Sequence, residues 1–458
     1  MNTTLNDVPY PVRIRIPGVR IVNLVAGGSC GRFHAACLDS EDQIWNLVNW
    51  GRPFRLVCDY ITAAKSKVAQ VECGWHFSSM LNQAGDIFVW FPYDELVKQA
   101  IEEHHLANKA NKIFATPAHE IPCATWDLKQ DSFKLPAIAN LPLLSTSPES
   151  KDVKVVKIAA FDNSLIALTN HGHVVKFDGL ANGMTAKTGQ WTYLPKFSEA
   201  AKVKEHEVFS AAQEQGGSLR ISETLQITHV RLFSQLFFYA LMISQISAHF
   251  QKFVAYSTGP TSVVIMGDRD TNAQSTPKVI PELQNIGVIS VVLGDYHCGA
   301  LTEAGKLLTW GQYSEGALGL GDPARIPPGE GGGFRDEGNR QTALSRGTGR
   351  PLDVTVPTEV RFDHEVKGNR NMYCFAATAS GWHMGALAID LETHSEDDDD
   401  DDESSDHMPG HFDVAPSPQP SGGNVPVPGG YPSFSARGFR VGFAGRGMMR
   451  GGPSQRGF

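Results

Sequence analysis

Short apolar runs alternate with glycine-containing polar turns over most of the chain, and the clearest example lies at residues 293–322. Two strand-like runs, 298–302 and 306–310, flank a turn that contains Gly305. Apolar runs of about five residues, joined by a turn with glycine, are typical of β-hairpins. The pattern therefore predicts a hairpin at this point of the chain.

Weaker copies of the same hairpin occur elsewhere, at residues 31–51, 73–90, 161–177, 250–267 and 380–389. Most copies follow an apolar segment, such as 68–71, and upstream of that a strand marked by proline, such as 277–280. Each unit thus offers four short strands, which is the content of one propeller blade. A single sheet of this kind is exposed on both faces, so the blades must stack around an axis. The repeat predicts an all-β propeller.

The spacing between copies predicts insertions. Gly31 and Gly74 are 43 residues apart, which suits one blade, whereas Gly294 and Gly381 are 87 apart. Residues 94–115 read as a helical insertion, because Asp94 can cap a helix and Leu96, Val97, Ala100 and Ile101 share one helical face. Residues 323–353 are rich in Gly, Pro and Arg, and they predict a mobile surface loop.

Residues 230–245 are unusually apolar. Their unbroken apolar part, 236–243, is too short to span a bilayer. Two interpretations stay open: a retained intron or other gene-model artefact, or a buried strand or helix of the adjoining blade.

From position 394 the chain changes composition. Residues 396–403 are all acidic, and the Pro, Gly and Ser residues that follow cannot bury enough apolar area to fold. The last twenty or so residues combine four Arg-Gly pairs with phenylalanines, which is the composition of an RNA-binding tail. A solubilising tail without a ligand is the alternative. Either interpretation predicts disorder over 394–458.

The formal net charge of −9 is concentrated in this tail. Residues 396–458 contain ten acids and five arginines, so the remainder of the chain is nearly neutral. A body with so little excess charge does not have the basic surface of a nucleic-acid-binding domain.

Cysteine usage and the N-terminus favour a reducing compartment. The seven cysteines are scattered and form no Cys-x-x-Cys pair, which argues against a disulfide framework or a zinc site. The first residues lack the basic and then apolar pattern of a signal peptide. We expect a cytoplasmic or nuclear protein that does not associate with a membrane.

Signatures of catalysis are weak. The chain has neither a phosphate-binding Gly-x-x-x-x-Gly-Lys-Ser/Thr loop nor a His-Glu-x-x-His motif. A Gly-x-Ser-x-Gly string at 27–31 opens a hairpin, whereas a nucleophile elbow would need a helix there. The glycines at 316, 319 and 321 suit a turn between strands better than a phosphate loop, since no helix is predicted to follow.

Recurring side chains also favour a structural role. His34, His76, His297 and His383 recur near the start of the hairpins, so the repeat separates them by about one blade instead of gathering them around a metal. His104, His105 and His119 point in different directions and predict no shared ligand role. Trp45, Trp90 and Trp310 end the second hairpin strand, where they would pack between blades or mark a binding hot spot. We expect no catalytic, metal-binding or cofactor-binding residue and no cofactor.

The strings Gly-x-x-His, Ala-Leu-Thr-x-x-Gly-x-Leu-x-x-Trp-Gly and Gly-Ala-Leu-Gly-Leu-Gly-Asp, all within 294–322, resemble the repeat of the regulator of chromosome condensation family. The resemblance covers residues 9–391 and implies a seven-bladed β-propeller. Local strings at 44–54 and 161–164 are similar to a subgroup of this family, the fungal SCF-associated factors. Members of that subgroup are F-box proteins, and their propeller is thought to present substrates to a cullin-based ubiquitin ligase.

Two departures from the subgroup concern the chain ends. Too few residues precede the first strand to form an F-box, and the last copy stops near 391 without a partner strand. In a closed propeller of this family the N-terminal strand usually completes the last blade. Both ends therefore suggest a propeller that is incomplete or unclosed at the N-terminus, with an N-terminal piece missing.

The resemblance implies a non-enzymatic propeller that binds a protein substrate through the loops of one face. Components of an SCF ligase are expected partners if an upstream F-box exists. One alternative is nucleotide exchange on a small GTPase, as in the founding member of the family, although the acidic run disfavours attraction to DNA. Another is an RNA-associated scaffold that uses the Arg-Gly tail.

Overall fold

The computed structural model describes residues 12–29, 32–48, 51–58, 67–144, 152–214, 245–312, 316–362, 371–391 and 440–443. The strands in chain order are β1 (Arg13–Arg15), β2 (Ile21–Ser29), β3 (Arg32–Asp39), β4 (Ile44–Leu47), β5 (Phe54–Val57), β6 (Val68–Cys73), β7 (Ser78–Asn82), β8 (Ile87–Trp90), β9 (Glu120–Pro122), β10 (Trp126–Lys129), β11 (Phe133–Lys134), β12 (Val155–Phe161), β13 (Ser164–Thr169), β14 (Val174–Asp178), β15 (Trp191–Tyr193), β16 (Gln245–His249), β17 (Lys252–Tyr256), β18 (Val264–Asp268), β19 (Lys278–Val279), β20 (Val288–Leu293), β21 (His297–Thr302), β22 (Leu307–Gly311), β23 (Val354–Glu359), β24 (Met372–Ser380), β25 (His383–Asp390) and β26 (Arg440–Phe443). The helices are α1 (Glu95–Ala107), α2 (Gly183–Thr188), α3 (Ala200–Lys204), α4 (Glu207–Glu214) and α5 (Glu337–Arg346).

Six sheets built from consecutive antiparallel strands form the blades, and they confirm the predicted propeller architecture. Blade 1 comprises β2–β5, blade 2 β6–β8, blade 3 β12–β15, blade 4 β16–β19, blade 5 β20–β23 and blade 6 β24–β26. The resemblance to the family implies seven blades, and the described residues form six.

The second strand is buried along nearly its whole length in blades 2, 3, 4 and 5, because both of its faces are covered by neighbouring blades. In β13, Leu165 and Ala167 pack toward blade 2, whereas Ile166 and Leu168 pack toward blade 4. All four side chains are buried. Burial of each larger side chain stabilises the fold by roughly 1.5–3 kcal/mol, so contact between blades is the main source of stability.

The tryptophans that end the third strands are core residues. Trp45, Trp90 and Trp310 are all buried. The indole Nε1 of Trp90 donates a hydrogen bond to Asn46 Oδ1 in blade 1, at 3.0 Å. Of the two roles considered from the sequence, the structure therefore places these side chains in packing between and within blades.

The first insertion contains a helix and also strands that extend blades 1 and 2. Asp94 caps α1 by accepting a hydrogen bond from the backbone N–H of Leu96, and Val97 is buried against blade 1. The helix ends at Ala107, before position 115, and the side chain of Leu96 lies exposed instead of on the buried face. The rest of the insertion adds β10 in parallel to β5 of blade 1 and β11 to β8 of blade 2.

The second insertion differs from the predicted irregular loop. Residues 323–353 contain α5, which is capped by the Asp336 side chain at its start and by Gly347 in a left-handed conformation at its end. Glu337 and Arg340 form an ion pair one turn apart on this helix. Capping and charge pairing stabilise a solvent-exposed helix without apolar periodicity, which explains why the hydrophobic pattern did not reveal it.

The chain ends also differ from the expected arrangement. Strand β1 pairs in parallel with β9 of the first insertion, not with the last blade. The last copy does have a partner strand, because β26 pairs antiparallel with β25.

Several predictions lie outside the described residues. They concern 230–244 and nearly all of the tail, 394–439 and 444–458. Among the described helices, none combines the length and the apolar composition needed to cross a membrane.

Candidate protein-interaction face

The two insertions that follow β8 and β22 emerge at the same end of the propeller as the turns between the first and second strands of blades 2 to 6. In an antiparallel sheet, the connection after the first strand and the connection after the third strand leave from the same side. Residues 91–132 follow the third strand of blade 2, and residues 312–353 follow the third strand of blade 5. This end, which we call the aromatic face, therefore carries both of these insertions.

Four side chains from different blades form a continuous aromatic row on this face. The ring centroids of Trp75 and Phe250 are 5.2 Å apart, those of Phe250 and Tyr296 are 5.5 Å apart, and those of Tyr296 and Trp382 are 5.8 Å apart. Tyr296 is 37% exposed and Trp382 is 57% exposed. Large aromatic side chains that remain accessible on a rigid platform are typical hot spots of protein interfaces.

Glycine shapes the turns that carry two members of this row. The N–H of Gly74 donates to the carbonyl of Phe77, and the N–H of Gly294 donates to the carbonyl of His297, each at 2.9 Å. A Cβ on Gly74 would lie 2.2 Å from the Phe77 ring, and one on Gly294 would lie 2.4 Å from the His297 ring. The glycine of the repeat is thus required because the ring three residues later packs directly against its backbone.

Two of the recurring histidines make the same contact between blades. The Nε2 atom of His34 in blade 1 lies 3.2 Å from the carbonyl oxygen of Phe77 in blade 2. The Nε2 atom of His297 in blade 5 lies 3.3 Å from the carbonyl oxygen of His383 in blade 6. Since a carbonyl only accepts, each Nε2 carries the proton, and these two rings link neighbouring blades.

Burial keeps both rings neutral. It lowers the pKa of His34 to about 4, and it also lowers the pKa of His297. In each ring the other nitrogen, Nδ1, is buried without a hydrogen-bond partner among the described atoms. A second proton there would place an unpaired charge in the core, which the fold disfavours.

The other two histidines are not equivalent to these. His76 uses its Nδ1 atom to contact Asn163 Oδ1 in blade 3 at 2.7 Å, and His383 is exposed. The repeat position therefore predicts neither a shared contact nor burial for all four rings.

His249 is a further link between blades that sequence reasoning missed. Its Nε2 atom lies 3.0 Å from Asp295 Oδ1 in blade 5 and 3.2 Å from the backbone nitrogen of Gly381 in blade 6. The backbone N–H of Asp295 donates to the carbonyl of Gly381 at 2.8 Å. No motif marks His249, because it is the last residue of β16 and becomes adjacent to these turns only when the blades stack.

Beneath the turns, polar side chains join the first strands of blades 2, 3 and 4. Lys157 Nζ donates to Gln245 Oε1, and the lysine also attracts the Glu72 carboxylate. Desolvation by burial nevertheless dominates and raises the pKa of Glu72 to about 7. Burial likewise lowers the pKa of Lys157. These contacts join the first strands of the two blades whose turns carry Trp75 and Phe250 to the blade between them.

The Gly-x-Ser-x-Gly string begins in the first hairpin, and the glycines at 316, 319 and 321 lie in a turn. Ser29 is the last residue of β2, and β3 begins at Arg32, so the serine is not followed by a helix. Gly316, Gly319 and Gly321 all have positive φ angles, as expected for a turn between strands. Within the described ranges, no three His, Cys, Asp or Glu side chains are arranged to hold a metal ion.

The members of the aromatic row were not selected from the sequence. The available signal was an aromatic residue in the turn between the first and second strand of several copies, at positions 75, 250, 296 and 382. That signal identifies the residues, but their mutual contact depends on how the blades are arranged.

Comparisons with known proteins identify similar propellers. No family model matches the chain. SCF-associated factor 1 of Saccharomyces cerevisiae is 36% identical over 123 residues, which is 26% of this chain and 16% of that protein. The mitochondrial RCC1 domain-containing protein RUG3 of Arabidopsis thaliana is 34% identical over 64 residues, 14% of each chain. The chain thus spans less than a fifth of the length of these curated relatives.

Among solved structures, yeast RCC1 (Prp20) bound to Kap60 superposes with a TM-score of 0.42 and 13% identity, over 81% of this chain and 69% of that chain. Human WBSCR16 superposes with a TM-score of 0.39 and 15% identity, over 80% and 71%. In its glycine-centred repeat and its four-stranded blades, the chain is similar to RCC1-repeat β-propeller proteins, and the two curated relatives share parts of its sequence.

Proposed function

We propose that the protein is a non-enzymatic recognition scaffold that binds a protein substrate through its aromatic face and delivers it to an SCF-type ubiquitin ligase for degradation. The observation that carries the recognition step is the aromatic row. Trp75, Phe250, Tyr296 and Trp382 together offer an accessible apolar strip on turns that hydrogen bonds between blades hold in place.

The ligase step rests on similarity to SCF-associated factor 1 over 123 residues. A substrate receptor must bind its target and hold it near the ligase, and it needs no reacting side chain of its own. A rigid ring with long connections on one face suits that task, because the insertions at 91–132 and 312–353 can extend the contact area around the aromatic row.

The experiment is affinity purification of the tagged protein from its own cells, with proteins identified by mass spectrometry. We expect a cullin adaptor and a set of substrates to be recovered. The double variant Tyr296→Ala/Trp382→Ala should lose the substrates and keep the adaptor. The matched control is Leu143→Ala, which removes a 91% exposed apolar side chain from a connection between blades 2 and 3.

The two parts of the proposal fail separately. Recovery of the same substrates with the Tyr296→Ala/Trp382→Ala variant would exclude the aromatic row as the binding site. Absence of any cullin adaptor, together with unchanged substrate half-lives when the protein is depleted, would exclude the ligase role.

A further inference from the structure

Strand β26 occupies the third-strand position of blade 6 and runs toward the aromatic face. Phe443 pairs with Gly385, and Arg440 pairs with Ala388. Strand β25 begins at His383, directly after the turn that holds Trp382. Because β26 is antiparallel to β25, the chain that follows Phe443 leaves in the direction of Trp382.

The register of β26 identifies one residue of the segment that follows it. If the pairing continued for three more positions, residue 446 would lie opposite residue 382. Residue 446 is an arginine, and it is followed by a glycine. The same Arg-Gly pair recurs at Arg450 and Arg456, so the segment that follows β26 offers three guanidinium groups.

The surface at this point is chemically suited to a guanidinium group. Trp382 and Tyr296 present exposed aromatic rings, and a cation over such a ring is attracted by its negative face. The carboxylate of Asp295 lies in the adjacent turn, whose backbone is bonded to Gly381. Aromatic rings beside a carboxylate favour arginine over phosphate or an acidic segment.

We propose that residues 444–458 bind the aromatic row in cis, with the guanidinium group of Arg446 over Trp382 near Asp295. The tail is then an intramolecular ligand that covers the exposed end of the row. This inference does not depend on the ligase role, since it concerns only contacts within the chain.

The test is photocrosslinking in the full-length protein. A benzoylphenylalanine is introduced in place of Met448, the sample is irradiated, and crosslinked peptides are mapped by mass spectrometry. We expect crosslinks to peptides that contain Tyr296 or Trp382. Equal amounts of isotopically heavy and light protein are mixed, and the crosslinks should join peptides of the same isotope.

Substitutions of Arg446 test whether the contact depends on its guanidinium group, and substitutions in the propeller test which surface receives it. Arg446→Gln should reduce the crosslink yield about two- to fivefold, which corresponds to the loss of one exposed cation–π contact. Arg446→Lys keeps the charge and should retain most of the yield. Trp382→Ala should reduce the yield as Arg446→Gln does, whereas Leu143→Ala should leave it unchanged.

Two results would overturn the proposal. One is a crosslink pattern that avoids the aromatic row or joins different molecules. The other is a yield that does not respond to Arg446→Gln. Because Trp382 is largely exposed, a folding defect is not expected in Trp382→Ala, and circular dichroism of each variant checks this point.

Discussion

The side chain of Gln70 in blade 2 forms two hydrogen bonds with the backbone of a single residue of blade 3, Ile158. Its Nε2 atom donates to the carbonyl of Ile158 at 2.6 Å, and the N–H of Ile158 donates to its Oε1 atom at 3.0 Å. Ile158 belongs to β12, the first strand of blade 3, which lies at one edge of its sheet among the described strands. A side-chain amide thus replaces the backbone pairing that a neighbouring strand would provide.

Replacing Gln70 should therefore weaken the contact between blades 2 and 3. Gln70→Ala leaves both backbone groups of Ile158 without this partner, and we expect a loss of about 2–3 kcal/mol in the free energy of unfolding. Denaturant titration measures the loss. Gln99→Ala is the control, because Gln99 forms only an exposed contact with Glu103 on α1. Equal effects of the two variants would contradict the proposed role of Gln70.

The close packing around Gly74 predicts that a larger side chain at this position would destabilise the fold. Gly74→Ala places a Cβ 2.2 Å from the Phe77 ring and 2.8 Å from the carbonyl oxygen of Asp162 in blade 3. Both neighbours are held by packing, so we expect thermal unfolding to show a destabilisation of about 1–3 kcal/mol. Gly183→Ala should be tolerated, since its nearest neighbour would be the edge of Phe91 at 3.8 Å. A stable Gly74→Ala protein would refute the packing explanation of the motif.

Stability should depend on pH through His34. The pKa of this ring is about 4 in the folded protein and 6.5 for an unperturbed imidazole, so on acidification the unfolded chain binds the proton first. The contribution of His34 is fully present above about pH 6.5 and is lost as the pH falls toward 4, by about 2 kcal/mol between pH 7 and pH 5.

Glu72 acts in the opposite direction. Its pKa is raised to about 7, so the folded state binds this proton first and gains stability as the pH falls below 7. The comparison that isolates His34 is the variant His34→Gln, whose amide can still donate to the Phe77 carbonyl but does not titrate. Denaturant titrations at several pH values should show a weaker acid dependence in the variant, and parallel curves would contradict the assignment.

Buried and exposed tryptophans should respond differently to the same substitution. Trp90→Phe removes the hydrogen bond to Asn46 and leaves a cavity between blades 1 and 2, so we expect a loss of about 2–3 kcal/mol in the free energy of unfolding. Trp382→Phe changes an exposed side chain and should alter stability by less than about 0.5 kcal/mol. If Trp382→Phe also destabilises the fold, the aromatic row has a structural role as well.

The repeat in the sequence was sufficient to predict the blades, because each hairpin encodes its own strands and turn locally. Gly305 has the positive φ angle that its turn requires, and Asp94 caps α1 as the local pattern predicts. Helix α5 was not predicted, although its caps are also local. A solvent-exposed helix has no apolar face, so its sequence shows no apolar periodicity.

Only the tertiary structure decided which side chains meet. Trp75 and Trp382 are far apart in the chain, and they belong to one aromatic row because the blades bring their turns to a common end. His34 and His297 make equivalent contacts, whereas His76 and His383 do not, since the geometry of each turn sets the direction of each ring. The sequence thus determined the repeating unit, and the stacking of those units determined the candidate binding surface, because contacts between blades join residues that no local pattern relates.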